Sequence, residues 1–388
     1  GPRQFRLVHS PGLSADHPRL VLSGKVESEA TYTNPYTGRY TSDLNLSGVE
    51  LDAFAEVSQW VNGFMAFSYD NTAATNNNTM VGNSNRRINN SRIYLDKGFI
   101  TIGNFHQSGV YGSVGQLVVP FGRYGSSMIA SPLTEAIGKT KARAVTLSYI
   151  TGTPDQHKMT PYIHTFVFKG DTRYGSRPNT IKNYGTDVGM FLSGSHYNGD
   201  VGLGYLNNMA DSNGAQDNGR ATGFMGFDQS SSSGNSSENI VHRVGATDLH
   251  GSVGYGSWSG IAEYVTSLQR FALTDMTYDG HRAKPNALNL EGAYAFTFFN
   301  LPSSVALGYG FSRQALALNI PYQRYTAAWS VTCLKVIVLT LEARHDINYS
   351  KNDTATGRFS ATTTASAVTA NQLGRTDNAL TARIGVYF

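Results

Sequence analysis

The chain has 388 residues, among them 41 glycines, 22 tyrosines and 19 phenylalanines, and only 15% of its residues are charged. Its net charge of +4 is small and dispersed, which argues against nucleic-acid binding. The longest apolar run, 331–341, contains Lys335 and is too short for a membrane-spanning helix. The single Cys333 excludes an internal disulfide framework and a metal site built on paired cysteines.

Apolar and polar residues alternate with a period of two from about residue 20 to the end of the chain. The last segment shows the pattern, with apolar residues at Leu380, Ala382, Ile384, Val386 and Phe388. A period of two is typical of a β-strand with one apolar and one polar face. Because a strand with one face toward lipid and the other toward water has this pattern, the sequence predicts an all-β protein, a transmembrane antiparallel β-barrel of the bacterial outer-membrane type.

About sixteen strands are predicted in chain order, and the connections between them alternate between short and long. The predicted strands are 20–33, 42–57, 61–70, 90–97, 98–105, 143–150, 157–168, 183–194, 200–209, 240–250, 254–268, 285–298, 303–313, 322–332, 335–349 and 376–388. Short turns in the periplasm and long loops outside are typical of such barrels, and an even strand count places both termini in the periplasm.

The domain organisation predicted from this pattern is simple. Residues 1–19 are expected to be a cleaved-tag scar, Gly1-Pro2, followed by a periplasmic tail, and residues 20–388 a single barrel domain. The loops 210–239 and 350–375 are rich in Ser, Asn and Thr, which favours flexible, solvated loops. The alternative for these loops is a surface that binds host material, as in an adhesin.

Charged residues recur at positions that the alternation places inside the barrel. They are Lys25, Glu27, Glu29, Glu50, Asp52, Glu56, Glu263, Glu291, Glu342, Arg344 and Arg383. Opposed side chains on neighbouring strands lie about 5 Å apart, so acids and bases there can pair across the ladder. A solvated wall held by ion pairs is favoured over a dedicated ligand site.

The segment 106–142 is long and carries apolar residues, among them Leu117, Val118, Val119, Phe121, Met128, Ile129, Leu133 and Ile137. A connection of that length is uncommon unless it has a function. Its apolar residues need a place to bury, and we therefore predict that it folds into the lumen and narrows the pore. The alternative is a loop packed over the outer rim or against a partner subunit.

Cationic residues in and near this segment are the candidate ligand-binding and pore-constriction residues, together with Gln116 and Tyr124. They are Arg86, Arg87, Arg92, Arg123, Lys139, Lys141 and Arg143, and Arg173 and Arg177 extend the positive set. A funnel with low-dielectric walls concentrates anions at such charges, and guanidinium groups match carboxylates in geometry. The alternative is dispersed solubilising charge that contacts lipopolysaccharide phosphates.

The stretch 115–124, Gly-Gln-Leu-Val-Val-Pro-Phe-Gly-Arg-Tyr, followed by Ser-Pro-Leu-Thr-Glu at 131–135, resembles the LbtU-type siderophore porins of Legionella and Francisella. The resemblance extends over the barrel. It implies an outer-membrane barrel that takes up ferric siderophores of the polycarboxylate, citrate-based kind, with iron as cargo and no resident cofactor. Members of this family can carry an additional periplasmic segment before the barrel. The resemblance identifies no contact residue.

The functional hypothesis is a receptor or porin for an anionic ferric siderophore, in contact with lipid and lipopolysaccharide. The chain is too short for a 22-stranded receptor with a plug, and residues 1–19 contain no recognisable TonB box. A periplasmic partner and the oligomeric state stay open. The alternative is a general or anion-selective diffusion porin. An enzyme is not expected, because Gly-x-Ser-x-Gly is absent and no histidine lies in a nucleophile motif.

Overall fold

The computed structural model describes residues 18–34, 40–70, 92–104, 107–152, 159–174, 180–216, 224, 226–227, 238–350, 352–357 and 376–388. Sixteen antiparallel strands form one closed barrel, in which each strand pairs with its neighbours along the chain and β16 closes on β1. The strands are β1 Arg19–Asn34, β2 Thr41–Glu56, β3 Val61–Asp70, β4 Arg92–Ile102, β5 Val110–Val118, β6 Lys141–Ile150, β7 Met159–Phe168, β8 Asn183–Ser193, β9 Tyr197–Leu206, β10 Ala246–Tyr255, β11 Trp258–Ser267, β12 Asn286–Phe298, β13 Leu301–Arg313, β14 Gln323–Cys333, β15 Ile337–Ile347 and β16 Thr376–Tyr387.

The predicted fold class and strand number are confirmed, and the connections alternate in length. One end of the barrel carries the short turns, such as 256–257 and 299–300, and we call it the short-turn end. The other, the long-connection end, carries segments such as 119–140 and 268–285. Since β1 begins and β16 ends at the short-turn end, the first and last strands leave the barrel on the same side.

Burial follows the two faces of each strand. On β7, Thr160, Tyr162, His164, Phe166 and Phe168 are at most 9% exposed, whereas Met159, Ile163 and Val167 are 65%, 41% and 43% exposed. Large apolar side chains therefore cover the outer surface on alternate positions. An apolar band of this kind is the lipid-facing surface of a transmembrane barrel. Within the described ranges, no helix is long and apolar enough to cross a bilayer.

The structure corrects two predicted segments. The strands predicted at 90–97 and 98–105 are one strand, β4, because Asp96 is the extra residue of a β-bulge and not part of a turn. The first part of the predicted loop 106–142 contains β5, which pairs with β4 and β6. One strand predicted as two and one missed strand leave the count unchanged, and the long connection shortens to 119–140.

Gly115 explains why β5 is hard to recognise in the sequence. Its φ of +142° is a conformation that L residues rarely adopt, and a Cβ there would lie 2.6 Å from Phe99 Cα. We predict that Gly115→Ala weakens the β4–β5 pairing, because strain at such a position costs on the order of 1–3 kcal/mol. The measurement is the temperature at which the detergent-solubilised barrel unfolds. Gly63→Ala on β3 is the control, since a Cβ there meets nothing within 4 Å. Equal unfolding temperatures for the two variants would contradict the prediction.

The main apolar core lies at the long-connection end, inside and above the barrel. It joins Val119, Phe121, Leu133 and Ile137 to residues of other connections, including Met209, Phe271 and Tyr349. The hydroxyl of Tyr349 accepts a hydrogen bond from Ala315 N at 3.1 Å and pairs with Ser312 Oγ at 2.7 Å. The long connections are thus packed against one another, and they contact the segment 119–140 from the long-connection end.

Candidate functional site

The segment 119–140, which we call the constriction segment, crosses the barrel interior. Its apolar side chains Val119, Phe121, Leu133 and Ile137 are at most 2% exposed, and a short helix, Leu133–Gly138, occupies its second half. Of the other apolar residues predicted to bury with them, Leu117 and Val118 belong to β5, and Met128 and Ile129 are half-buried. The polar contacts of the segment show which strands of the barrel wall it contacts.

Three glutamates on the inner wall accept hydrogen bonds from the backbone of the constriction segment. Glu263 on β11 accepts from Arg123 N at 2.6 Å and Tyr124 N at 2.9 Å. Glu291 on β12 accepts from Ser127 N at 2.6 Å and Ser126 Oγ at 2.7 Å. Glu342 on β15 accepts from the amides of residues 129 and 130. These amides of the constriction segment have no hydrogen-bond partner in a strand ladder. The wall carboxylates accept their hydrogen bonds instead, and carboxylates are strong acceptors.

Arg123 fixes the segment to the part of this wall that β7, β8 and β9 form. Its guanidinium donates to Asp187 Oδ2 at 2.9 Å, to Asp200 Oδ2 at 3.3 Å and to the Tyr162 hydroxyl at 2.6 Å. It also lies 5.2 Å from the centroid of the Tyr162 ring. Burial acts against its charge, but Asp187, Tyr162 and Asp200 offset this, so its pKa lies above the usual range. Arg123 is thus a charged anchor.

Histidine and further acids surround this anchor. His250 lies with Nδ1 at 2.6 Å from Asp248 Oδ1 and with Nε2 at 3.2 Å from the Tyr162 hydroxyl. Tyr124 follows the anchor in the left-handed region, at φ 51°, and its side chain is buried. Burial, together with Asp248 and Glu263, raises the pKa of the Tyr124 hydroxyl well above its usual range, so it stays protonated at neutral pH.

The contacts of the constriction segment leave open the part of the lumen next to β16, β1 and β2. No hydrogen bond in the described ranges joins the segment to β16, β1 or β2. Barrels of sixteen strands are wide enough to leave an aqueous channel, so this gap is the candidate permeation path.

Three arginines project into the lumen from neighbouring strands, and we call them the arginine comb: Arg324 on β14, Arg344 on β15 and Arg383 on β16. Arg324 binds both oxygens of Asp346, at 2.8 and 3.0 Å, and donates to the carbonyl of Ser131 at 3.0 Å. Arg344 Nε lies 3.2 Å from the same aspartate, and its side chain is 33% exposed. The comb therefore borders both the constriction segment and the open lumen.

Acids accompany the comb on β1, where the ion pairs predicted for the inner wall are present. Arg383 Nε donates to Glu29 Oε1 at 2.6 Å. Lys25 Nζ lies 3.3 Å from Glu27 Oε2, and the Tyr387 hydroxyl donates to Glu27 Oε1 at 2.7 Å. Positive and negative groups alternate along this wall, which limits its net charge.

The structure places several predicted site residues in pairs with acids or with backbone carbonyls. Lys139 Nζ lies 2.7 Å from Glu135 Oε1, and Lys141 Nζ lies 2.6 Å from Asp96 Oδ1. Gln116 Nε2 donates to the carbonyls of residues 95 and 96 at the β4 bulge, at 3.0 Å each. In the register Gln116 lies opposite Arg143 and Lys141 opposite Val118, on the same strand face as the exposed Val114. The contacts of Gln116 and Lys141 therefore link β5 and β6 to β4 on the outer side of the wall, and their predicted placement in the pore is corrected. A role of these residues in ligand binding stays a prediction.

The placement of Arg143 as a pore residue is corrected. On β6 it shares the outward face with Val145 and Leu147, which are 52% and 59% exposed, so it points away from the lumen. Arg92 begins β4 and is exposed, and Arg173 pairs with Glu238 at 3.0 Å. The remaining predicted cations, Arg86, Arg87 and Arg177, lie outside the described residues.

Asp187 and Asp200, the wall partners of Arg123, were not predicted from the sequence. Asp187 and Asp200 lie at inward positions of predicted strands, next to the outward Val188 and Val201. The alternation of apolar and polar residues is therefore enough to place both aspartates inside the barrel. No pattern in the sequence indicates that they meet Arg123. In the part of the chain that the structure describes, no three His, Cys, Asp or Glu residues are grouped to hold a metal ion.

Curated relatives of the chain occur in two bacterial genera. A UPF0422 protein of Coxiella burnetii is 36% identical over 373 residues, which cover 96% of this chain and 72% of the relative. A UPF0422 protein of Legionella pneumophila is 34% identical over 374 residues, which cover 96% and 67%. The chain belongs to the UPF0422 family. No protein-family model matches it, and the siderophore-porin resemblance of this UPF0422 chain stays a prediction.

Solved structures similar to this UPF0422 chain are barrels of the porin type. An anion-selective porin from Comamonas acidovorans gives a TM-score of 0.58 at 12% identity, covering 96% of this chain and all of that one. The outer membrane channel DcaP of Acinetobacter baumannii gives 0.56 at 12% identity, covering 97% and 99%. Salmonella typhi OmpF gives 0.55 at 12% identity, covering 95% and 97%. At this identity the likeness shows a shared fold.

Proposed function

We propose that this UPF0422 chain is an outer-membrane channel for polar solutes, narrowed by its constriction segment. The observation that carries the proposal is a segment held inside a closed barrel by Arg123 and by three wall glutamates, Glu263, Glu291 and Glu342. A barrel with an apolar outer face and a polar interior is suited to passage of solutes across a bilayer. The long-connection end faces outward and both termini are periplasmic in this proposal. No catalytic role is proposed.

The finer proposal is uptake of an anionic ferric siderophore of the polycarboxylate kind, with iron as cargo. It is supported by the sequence resemblance and by the arginine comb, whose guanidinium groups match carboxylates in geometry. Arg344 is the member best placed to bind a solute, because it is the most exposed of the three and has one carboxylate partner among the described residues.

A general diffusion porin is the second candidate, and the pairing of the wall charges favours it. Arg324 and Arg344 share Asp346, Arg383 pairs with Glu29, and Lys25 pairs with Glu27. Paired charges attract a free anion less than unpaired ones do. The two candidates therefore differ in whether a carboxylate-rich solute competes successfully for the comb.

Planar-bilayer recordings test both levels of the proposal. The reconstituted chain is expected to conduct ions, and a ferric citrate-type siderophore is expected to bind and to block the current. Arg344→Gln should weaken this block roughly tenfold, since a hydrogen bond to a charged group contributes about 1.5–3 kcal/mol. Arg143→Gln, which removes an outward-facing cation, is the control and should leave the block unchanged.

The outcomes separate the candidates. Absence of conductance from the folded barrel would contradict a channel. If the barrel conducts ions but neither ferric nor iron-free siderophore blocks the current or binds in calorimetry, the siderophore proposal is wrong and the general diffusion porin is supported. If the siderophore blocks the Arg344 variant and the unmodified chain at the same concentration, the arginine comb does not recognise the siderophore.

A further inference from the structure

The outer surface of β10 to β13 carries an apolar groove of about 640 Å³. Its floor consists of residues with little or no side chain, Gly251, Gly260, Ala262 and Gly292, and Gly260 lies opposite Gly292 in the register. Outward-facing Leu290 and Leu307, 41% and 69% exposed, border it. A Cβ added at Gly292 would meet nothing within 4 Å, which shows that the groove is open above this residue.

Five cationic residues lie beyond the same strands at the long-connection end. We call them the basic rim: Arg243, Arg270, Arg282, Lys284 and Arg313. Hydrogen bonds connect their segments. Arg270 Nη1 donates to the carbonyl of Arg282 at 3.0 Å, and Leu268 N donates to that of Gly245 at 2.7 Å.

Among the described residues, none of the five cations of the basic rim forms an ion pair, and the exposed Asp279 is the acid nearest to Arg282 in the chain. Arg270 and Arg282 are exposed. Arg313 continues the outward face of β13, where its guanidinium lies 4.0 Å from the centroid of the Tyr322 ring. The nearby Asp275 is buried and accepts a hydrogen bond from Val241 N at 2.9 Å, so it is committed to the loop core.

The groove and the basic rim are separated by a distance that fits one leaflet. Six residues of β12 separate Gly292 from Asn286 at the rim, which is about 20 Å along a strand and about 14 Å along the membrane normal at a 45° tilt. Half of a bilayer core is about 15 Å. Tyr309, whose ring lies 5.2 Å from that of Tyr325, pairs with Leu290 and lies at the groove itself.

We propose that this face binds a phosphorylated glycolipid of the outer leaflet, with its phosphates at the basic rim and an acyl chain in the groove. Charge complementarity selects the occupant, because the rim supplies guanidinium donors for phosphate and the groove below it is apolar. The proposal rests on the outer-membrane location and orientation proposed above. It does not depend on which solute the channel carries.

Native mass spectrometry of the full chain in detergent, titrated with lipid A, tests this site. The unmodified chain is expected to retain bound lipid A. The double variant Arg270→Gln with Arg282→Gln should weaken retention about tenfold or more, because each cation near a lipid surface contributes to the attraction of anionic headgroups. Gly292→Leu should weaken it by filling the groove.

Matched controls use the outward face on the other side of the barrel. Gly63→Leu adds the same side chain on β3, where a Cβ also meets nothing within 4 Å, and Arg143→Gln removes an outward cation from β6. Both should retain lipid A as the unmodified chain does. Dephosphorylated lipid A should bind the unmodified chain as weakly as lipid A binds the rim variant, and inorganic phosphate should not displace the lipid.

Three results would overturn the proposal. The first is equal retention of lipid A by the rim variant and the controls. The second is displacement of lipid A by inorganic phosphate, which would indicate a simple anion site. The third is a change of oligomeric state in Gly292→Leu with lipid binding intact, which would make the groove an interface between copies of the chain. Channel conductance is measured separately, so loss of lipid binding and loss of the proposed transport function are distinguishable.

Discussion

Replacing Arg123 with glutamine is expected to release the constriction segment and to raise the single-channel conductance of the barrel. The guanidinium satisfies Asp187 and Asp200, which are 0% and 9% exposed, and its removal leaves two buried carboxylates without their cation. Removing one partner of a buried ion pair costs about 3–5 kcal/mol. Because the barrel strands are held by their own ladders, we expect this loss to displace the segment and leave the barrel folded.

Lys139→Gln is the matched control for Arg123→Gln. It also removes one cation from the constriction segment, but Lys139 caps the C-terminus of the short helix and pairs with Glu135 inside it, and both side chains are partly exposed, 35% and 26%. Such pairs contribute about 0–1 kcal/mol. The conductance of Lys139→Gln should therefore match that of the unmodified chain. If Arg123→Gln also kept the unmodified conductance, Arg123 would not be the anchor that limits the pore.

The alternation of residues predicted the barrel because it is a local property of each strand. Fourteen of the predicted strands each overlap mainly one observed barrel strand, and the errors occur where local chemistry departs from the pattern. Asp96, Lys97 and Gly98 have the composition of a turn, but the β4 bulge accommodates Asp96 without ending the strand. Gly112 and Gly115 break the apolar pattern of β5, and the strand becomes visible only through its pairing with β4 and β6.

The inward position of the wall glutamates was also predictable, whereas their role was not. Glu263 was expected in a solvated ion-paired wall, but it binds amides of a segment about 140 residues earlier in the chain. Such a contact depends on closure of the barrel and on the path of the segment inside it. Arg143 shows the opposite case, since the alternation with Val145 and Leu147 contains enough information to place it outside.

Replacing Glu263 with leucine is the second change for which we expect a large effect, in this case on stability. One Glu263 oxygen accepts from the amides of Arg123 and Tyr124, and the other accepts from Thr134 Oγ1 at 2.7 Å. The residue is 2% exposed, so water cannot replace these acceptors in the folded state. A buried donor left unsatisfied costs about 1–3 kcal/mol, and leucine leaves three of them.

Glu263→Gln separates acceptor geometry from charge. Its amide oxygen can accept from both backbone N–H groups, and the Thr134 hydroxyl can rotate to accept from its amide nitrogen. We therefore expect Glu263→Gln to keep nearly the unmodified unfolding temperature and conductance, whereas Glu263→Leu lowers the first and raises the second. The measurements are the temperature at which the barrel loses its folded migration on an unboiled gel, and single-channel recordings.

The control is Glu135→Leu, which removes a partly exposed carboxylate of the same segment whose side chain pairs with Lys139. It should leave both measurements near those of the unmodified chain. If the glutamine variant proved as unstable as the leucine variant, the negative charge of Glu263, and not its two acceptor oxygens, would hold the segment. If all three variants behaved as the unmodified chain, the contacts between Glu263 and the constriction segment would contribute nothing to closing the lumen.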